Sequence, residues 1–181
     1  NFIDGVNTLV IGYFILVFSN ILYLSNLHNF DLDISLVSIC LISLLVIYIF
    51  NLFGKMFLGD GGSYLISFVA GTILIKFFND NYLVSPYYIM ALLWYPAYEN
   101  LFSIVRKKIQ KKTPSTPDSR HLHQLIFLYL YKSFKIEKNL SNLLSGIIIC
   151  LYNLFYFFII FDSYFYTETL VYSVFFNVFL Y

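Results

Sequence analysis

Three short stretches of the chain carry residue types that could do chemistry. The first is NFIDGVN, residues 1–7, in which Asn1, Asp4 and Asn7 recur every third residue. On a helix that spacing stacks three polar groups on one face, where they would line a cavity. An ordinary helix start, with Asp4 favoured by the dipole of the first turn, reads equally well. The second is GKMFLGDGGS, residues 54–63, with four glycines around Asp60. Glycine lets backbone approach a ligand closely, and successive N–H groups in such a turn cradle anions. A carboxylate beside phosphate-binding backbone suits Mg²⁺, which takes oxygen ligands and bridges substrate phosphates. Ser63 is the expected N-cap of the helix that follows. The plainer alternative is a tight inter-helix turn with an exposed Asp60.

The third stretch is PDSRHLHQ, residues 117–124. Histidines two apart share a side of an extended segment but not of a helix. If His121 and His123 serve one site, the segment is therefore a loop. Arg120 adds a permanent charge with a fork suited to phosphate. A solvated basic loop attracted to anionic headgroups is the alternative, and the preferred one for RKKIQKK, residues 106–112. Zinc is not expected, because two histidines without a nearby cysteine do not complete a site. Glu99 stands apart from these stretches. It lies inside an apolar run, where a charge costs several kcal/mol unless paired or hydrated. A structural pairing role and a catalytic one fit it equally.

These groups must be positioned by oily segments. The chain of 181 residues is 60% hydrophobic and 12% charged, whereas a soluble domain is about 25% charged. The fold class expected is all-α, a polytopic membrane helix bundle forming one integral membrane domain over 1–181. Six spans are read, at roughly 6–24, 34–53, 63–79, 85–104, 141–161 and 167–181. The stretch 105–138 is the long polar loop, with helix breaks at Thr113-Pro114 and Thr116-Pro117. QLIFLYLYKSFKIEK, after it, reads either as an interfacial helix or as an extension of the next span. Cys40 and Cys150 sit in apolar runs and read as packing residues.

Charge orients the spans. Of eleven lysines and arginines, ten fall in 54–62 or 105–138, and Lys76 alone falls toward the other side. The positive-inside rule then puts the three motifs on the cytoplasmic face.

Together, in this order and on one face, the motifs resemble the polyprenyl-phosphate N-acetylhexosamine-1-phosphate transferases, the WecA/TagO/MraY-like membrane family. The resemblance runs over nearly the whole chain. It implies transfer of an N-acetylhexosamine 1-phosphate from a UDP-sugar to undecaprenyl phosphate, with release of UMP, in a bacterial cytoplasmic membrane. By position, Asp60 matches the magnesium-binding aspartate, with Mn²⁺ as a substitute, and Asp4 joins it as a catalytic residue. Asn1 and Asn7 match the polar face that binds nucleotide or metal. Arg120, His121 and His123 match the loop that contacts the nucleotide-sugar. The implied partners are the UDP-N-acetylhexosamine, undecaprenyl phosphate, membrane lipid and, as an option, a second copy in a homodimer, with no nucleic acid.

Asn7 stands where aspartate is often found, Gln124 replaces a third histidine, and no Asp-Asp pair occurs. HLHQ favours the WecA/TagO-like branch over the peptidoglycan-precursor translocase. A transporter or scaffold is the reading from a different class, and Mg²⁺-dependent binding of a UDP-sugar separates the two. The chain opens inside a motif and without Met, so the expectation is a C-terminal portion of a longer transferase, incomplete for catalysis by itself. The topology has a direct test by cysteine labelling of intact cells. Cysteine at His28 should react from outside and cysteine at Ser115 should not; the reverse pattern inverts the orientation.

Overall fold

A computed structural model describes residues 5–111 and 120–181, and every regular element among them is helical. The helices are α1 (Leu9–His28), α2 (Ile34–Leu52), α3 (Gly59–Asp80), α4 (Pro86–Leu92), α5 (Trp94–Ile109), α6 (Leu122–Lys132), α7 (Lys138–Ile160) and α8 (Thr167–Leu180). Four of them are long and apolar enough to cross a membrane: α1, α2, α3 and α7 with its 3-10 extension to Ser163. The chain is a polytopic helical bundle. The Thr-Pro breaks at 113–114 and 116–117 lie outside the described residues.

The remaining two of the six expected spans differ in form. The run 85–104 is broken at Leu93 into α4 and α5. Pro96 causes the break, because it has no N–H to give the carbonyl of Leu92, four residues earlier. The Tyr13 hydroxyl of α1 donates to that orphaned carbonyl instead, at 2.7 Å. α8 has 14 residues, about 21 Å of helix against a hydrocarbon core of about 30 Å. Residues 122–132 form their own helix, packed on α7, rather than an extension of it. Lys135, with φ 53, turns the chain between the two.

α1 is the central helix. Leu9 to Phe14 are buried without interruption, and burial then narrows to Val17, Phe18, Ile21, Leu24 and Ser25, a single helical face. A helix apolar all round is one that neighbours enclose; α2, α3 and α7 do so here. α2 buries Val37, Leu44 and Asn51, a stripe of one residue in seven, and turns Ile39, Ile42, Val46 and Ile49 outward. Such apolar outer faces match a lipid surround. Cys40 and Cys150 are unpaired, half-buried thiols, consistent with packing roles.

The loops gather at two ends. At one end, the Asn81 side chain accepts the Asp31 N–H at 2.8 Å and donates to the Asp31 carbonyl at 2.8 Å. There too, the Ser85 N–H donates to the Tyr164 carbonyl at 2.8 Å. Segment 5–8, the turn at 53–58 and the start of α7 share the other end. This alternation is the one the charge pattern requires.

α7 approaches α1 through small residues. Ser141, Ser145 and Gly146 are buried on one side of it, the kind of surface that lets membrane helices close up. A Cβ on Gly146 would collide with the Asn7 carbonyl and the Thr8 hydroxyl. Gly146→Ala should therefore cost about 1–3 kcal/mol, several degrees of Tm in detergent. Gly71→Ala is the matched control, since its Cβ would meet open space within α3. Equal Tm values for the two variants would contradict the packing described.

Candidate active site

The backbone of residues 5–8 is a turn, and α1 begins only at Leu9 because Thr8 takes a left-handed conformation, φ 73. The helical stacking expected for Asn1, Asp4 and Asn7 therefore does not hold at Asn7; Asn1 and Asp4 lie outside the described residues. No side chain of the segment itself caps α1. Two asparagines from other helices take the orphan donors instead. The Asn7 N–H donates to Asn142 Oδ1 of α7 at 2.8 Å, and the Thr8 N–H donates to Asn51 Oδ1 of α2 at 2.6 Å. Asn51 also donates through Nδ2 to the Met56 carbonyl at 2.8 Å. One amide thus joins segment 5–8 to the turn that leads into α3. Between them lies an open cleft of about 330 Å³, lined among others by Gly5, Asn7, Asn51, Gly59, Asp60 and Asn142.

Asp60 enters this cleft from the first turn of α3. Gly59, at φ 65, redirects the chain into the helix, a conformation that glycine adopts without steric cost. The helix begins four residues before Ser63, so Ser63 is not its N-cap. From inside the helix its hydroxyl donates to the Asp60 carbonyl at 3.0 Å. The glycine-rich stretch is thus a helix N-terminus rather than an irregular anion-cradling turn. Its first N–H groups lack intrahelical partners, and its dipole favours the exposed Asp60 carboxylate. Among the described residues no three His, Cys, Asp or Glu side chains gather to hold a metal. A single carboxylate in an amide-lined cleft fits a hard cation that completes its shell with phosphate and water. Mg²⁺ binds in that way, and a zinc site would need more protein ligands.

The histidine motif is built differently from a loop. His121 is the N-cap of α6, in extended conformation (φ −74, ψ 150), and His123 lies in its first turn. The change of conformation at the cap brings the two rings to one side. They stack with centroids 5.5 Å apart and planes 3° from parallel. Glu99 of α5 holds the pair. It is 1% exposed, and its Oε2 lies 2.7 Å from His121 Nδ1. Its Oε1 accepts the Leu122 N–H at 2.8 Å. A carboxylate is well placed there, because it meets both an imidazole and the positive end of α6. Gln124 accepts the His121 N–H through its side chain at 3.2 Å. The residue that departs from a third histidine thus closes the helix start, in the manner of the N3 residue of a capping box. His123 is buried against Gly5, whose Cβ, if present, would collide with its ring. Burial pushes the His123 imidazole down to about 4, the adjoining His121 acts in the same direction, and Glu99 opposes both. The ring is uncharged at neutral pH.

Asn7 and Asp60 therefore share one cleft. His121 and His123 do not line it and lie across Gly5 from it, with Arg120 exposed at their edge. Asn51, Asn142 and Gly146 carry no motif. Their sequence signal is a lone small or polar residue within an apolar helix, and which helix face it occupies decides its meaning. Glu99 does have a signal, a charge inside an oily run, but its partner 22 residues away is set by the fold.

The family model of glycosyl transferase family 4 matches residues 1–78, the part that carries segment 5–8 and Asp60. An undecaprenyl-phosphate alpha-N-acetylglucosaminyl 1-phosphate transferase of Thermotoga maritima is 33% identical over 97 residues, 49% of this chain and 32% of the relative. A probable undecaprenyl-phosphate N-acetylglucosaminyl 1-phosphate transferase of Bacillus subtilis is 26% identical over 131 residues, 71% of this chain and 37% of the relative. The chain thus spans about a third of the length of these curated relatives. No solved structure matches it at the same stringency. Residues 1–78, with segment 5–8 and Asp60, are thus the part in which this chain is similar to glycosyl transferase family 4.

Proposed function

We propose that this chain is part of an enzyme that transfers N-acetylhexosamine 1-phosphate, such as N-acetylglucosamine 1-phosphate, from a UDP-sugar to undecaprenyl phosphate. The single observation that carries this reading is the cleft that joins Asn7 and Asp60 at one end of an apolar bundle. A lipid phosphate and a water-soluble nucleotide can meet only at such an edge. The names of the two relatives support the acceptor and the transferred group. The ten-to-one bias of basic residues supports a cytoplasmic face for the cleft, in a bacterial cytoplasmic membrane.

In this reading a phosphate oxygen of the lipid attacks the β-phosphorus of the UDP-sugar. The bond to the bridging oxygen breaks, and UMP leaves with that oxygen. Asp60 is the residue that would hold Mg²⁺, whose chemistry when bound is to neutralise charge on the pyrophosphate and on departing UMP. Asn7 and the N-terminal N–H groups of α3 orient phosphate oxygens in the cleft. Arg120, His121 and His123 close on the nucleotide-sugar from the far side of Gly5, and Asp4 acts beside Asp60. Initiation of a cell-envelope glycan is the role that follows from such a product.

Asp60→Asn in the full-length enzyme is the test. A metal supplies several kcal/mol to such a transition state, so turnover should fall by roughly 10²–10³-fold. Addition of Mg²⁺ should not restore it. Turnover near that of the unmodified enzyme across a magnesium titration would remove Asp60 from the metal site.

A further inference from the structure

Glu99 joins α5 to the histidine pair, and its geometry says more than that it anchors them. The carboxylate is buried and gives one oxygen to each of two partners. The Leu122 N–H can only donate. Nδ1 of His121, 2.7 Å from the other oxygen, faces a group that can only accept once ionised. That nitrogen therefore carries a proton. In the neutral ring Nε2 then carries the lone pair, the arrangement by which a carboxylate fixes an imidazole tautomer. His121 is also held by its backbone, through Gln124 at 3.2 Å, and by the parallel face of His123. The ring has little freedom to turn over.

We propose that Glu99 is a positioning residue: it keeps the proton of His121 on Nδ1, so that Nε2 is the ring nitrogen presented to the nucleotide-sugar. The contact with the nucleotide-sugar rests on the transferase reading above; the tautomer rests on geometry alone. A purely structural Glu99 would need its two hydrogen bonds but not its charge. Glu99→Gln separates these roles. Its amide oxygen can still accept the Leu122 N–H, while its NH₂ donates to Nδ1. The imidazole proton is thereby driven to Nε2, with the start of α6 kept in place.

The experiment uses the full-length protein in nanodiscs, labelled with ¹⁵N-histidine and assigned by the signal lost in His121→Gln. At a pH where the ring is neutral, the wild type should show a protonated Nδ1 and an Nε2 that shifts when UDP-N-acetylglucosamine and Mg²⁺ are added. Glu99→Gln should show the opposite tautomer and a folded spectrum. Its kcat should be lower by roughly 10–100-fold, the scale met when the outer partner of a functional histidine is lost. Wild-type His121 with its proton on Nε2 overturns the proposal, and that reading does not require any variant to fold. An Nε2 unmoved by the nucleotide-sugar, or a swapped tautomer with unchanged kcat, also overturns it. Absence of lipid-linked product from the wild type would instead overturn the transferase reading, while the tautomer and the ligand-induced shift still decide the role of Glu99.

Discussion

Two side-chain amides hold the arrangement together. Asn51 from α2 and Asn142 from α7 accept the N–H groups of Thr8 and Asn7, which the late start of α1 leaves without helical partners. Thr8 is buried, and a buried donor without a partner costs about 1–3 kcal/mol. The two hydrogen bonds therefore fix where segment 5–8 lies relative to three helices. Asp60 depends on this through the second bond of Asn51 to the Met56 carbonyl. The histidine pair depends on it through Gly5, against which His123 rests.

The other support comes from the opposite direction. α5 ends in basic residues but buries Glu99 about two turns earlier, and the start of α6 closes over that carboxylate. Proline contributes to this placement. The break at Leu93 lets α4 pack on α8 while α5 runs to the motif end as a separate piece, and Tyr13 of α1 satisfies the carbonyl released by Pro96. A straight helix through 85–104 would have no such joint. The same central helix thus secures the broken span by a side chain and the motif segment by its own first residues.

Much of this was legible in the sequence, and the reasons are specific. Long apolar runs define α1, α2, α3 and α7, because the length of a spanning helix is set by the bilayer. Gly59 beside Asp60 signalled a positive φ, which falls at the start of α3 rather than in a loop. Pro96 carried the signal for the break in 85–104, but apolar composition outweighed it in the span reading. The position of Ser63 was misread because the glycines that suggest an irregular loop are compatible with a helix start. The histidines were read as a loop pair since spacing alone does not reveal a change of conformation at an N-cap. Asn51, Asn142 and Gly146 were invisible as site residues: what each does depends on a partner that only the packing of α1 against α2 and α7 supplies.

The claim at the centre is that segment 5–8 is the joint at which the three motifs become one site. Gly5→Ala in the full-length protein tests it most directly, read as the Kd of UDP-N-acetylglucosamine in the presence of Mg²⁺ by calorimetry. The added methyl must displace His123, and ligand binding would have to restore the ring against an overpacking strain of about 1–3 kcal/mol. The account predicts an affinity lower by roughly 5–150-fold, with the helical fold retained. An affinity equal to that of the unmodified protein would show that the histidine pair and the Asp60 cleft act separately.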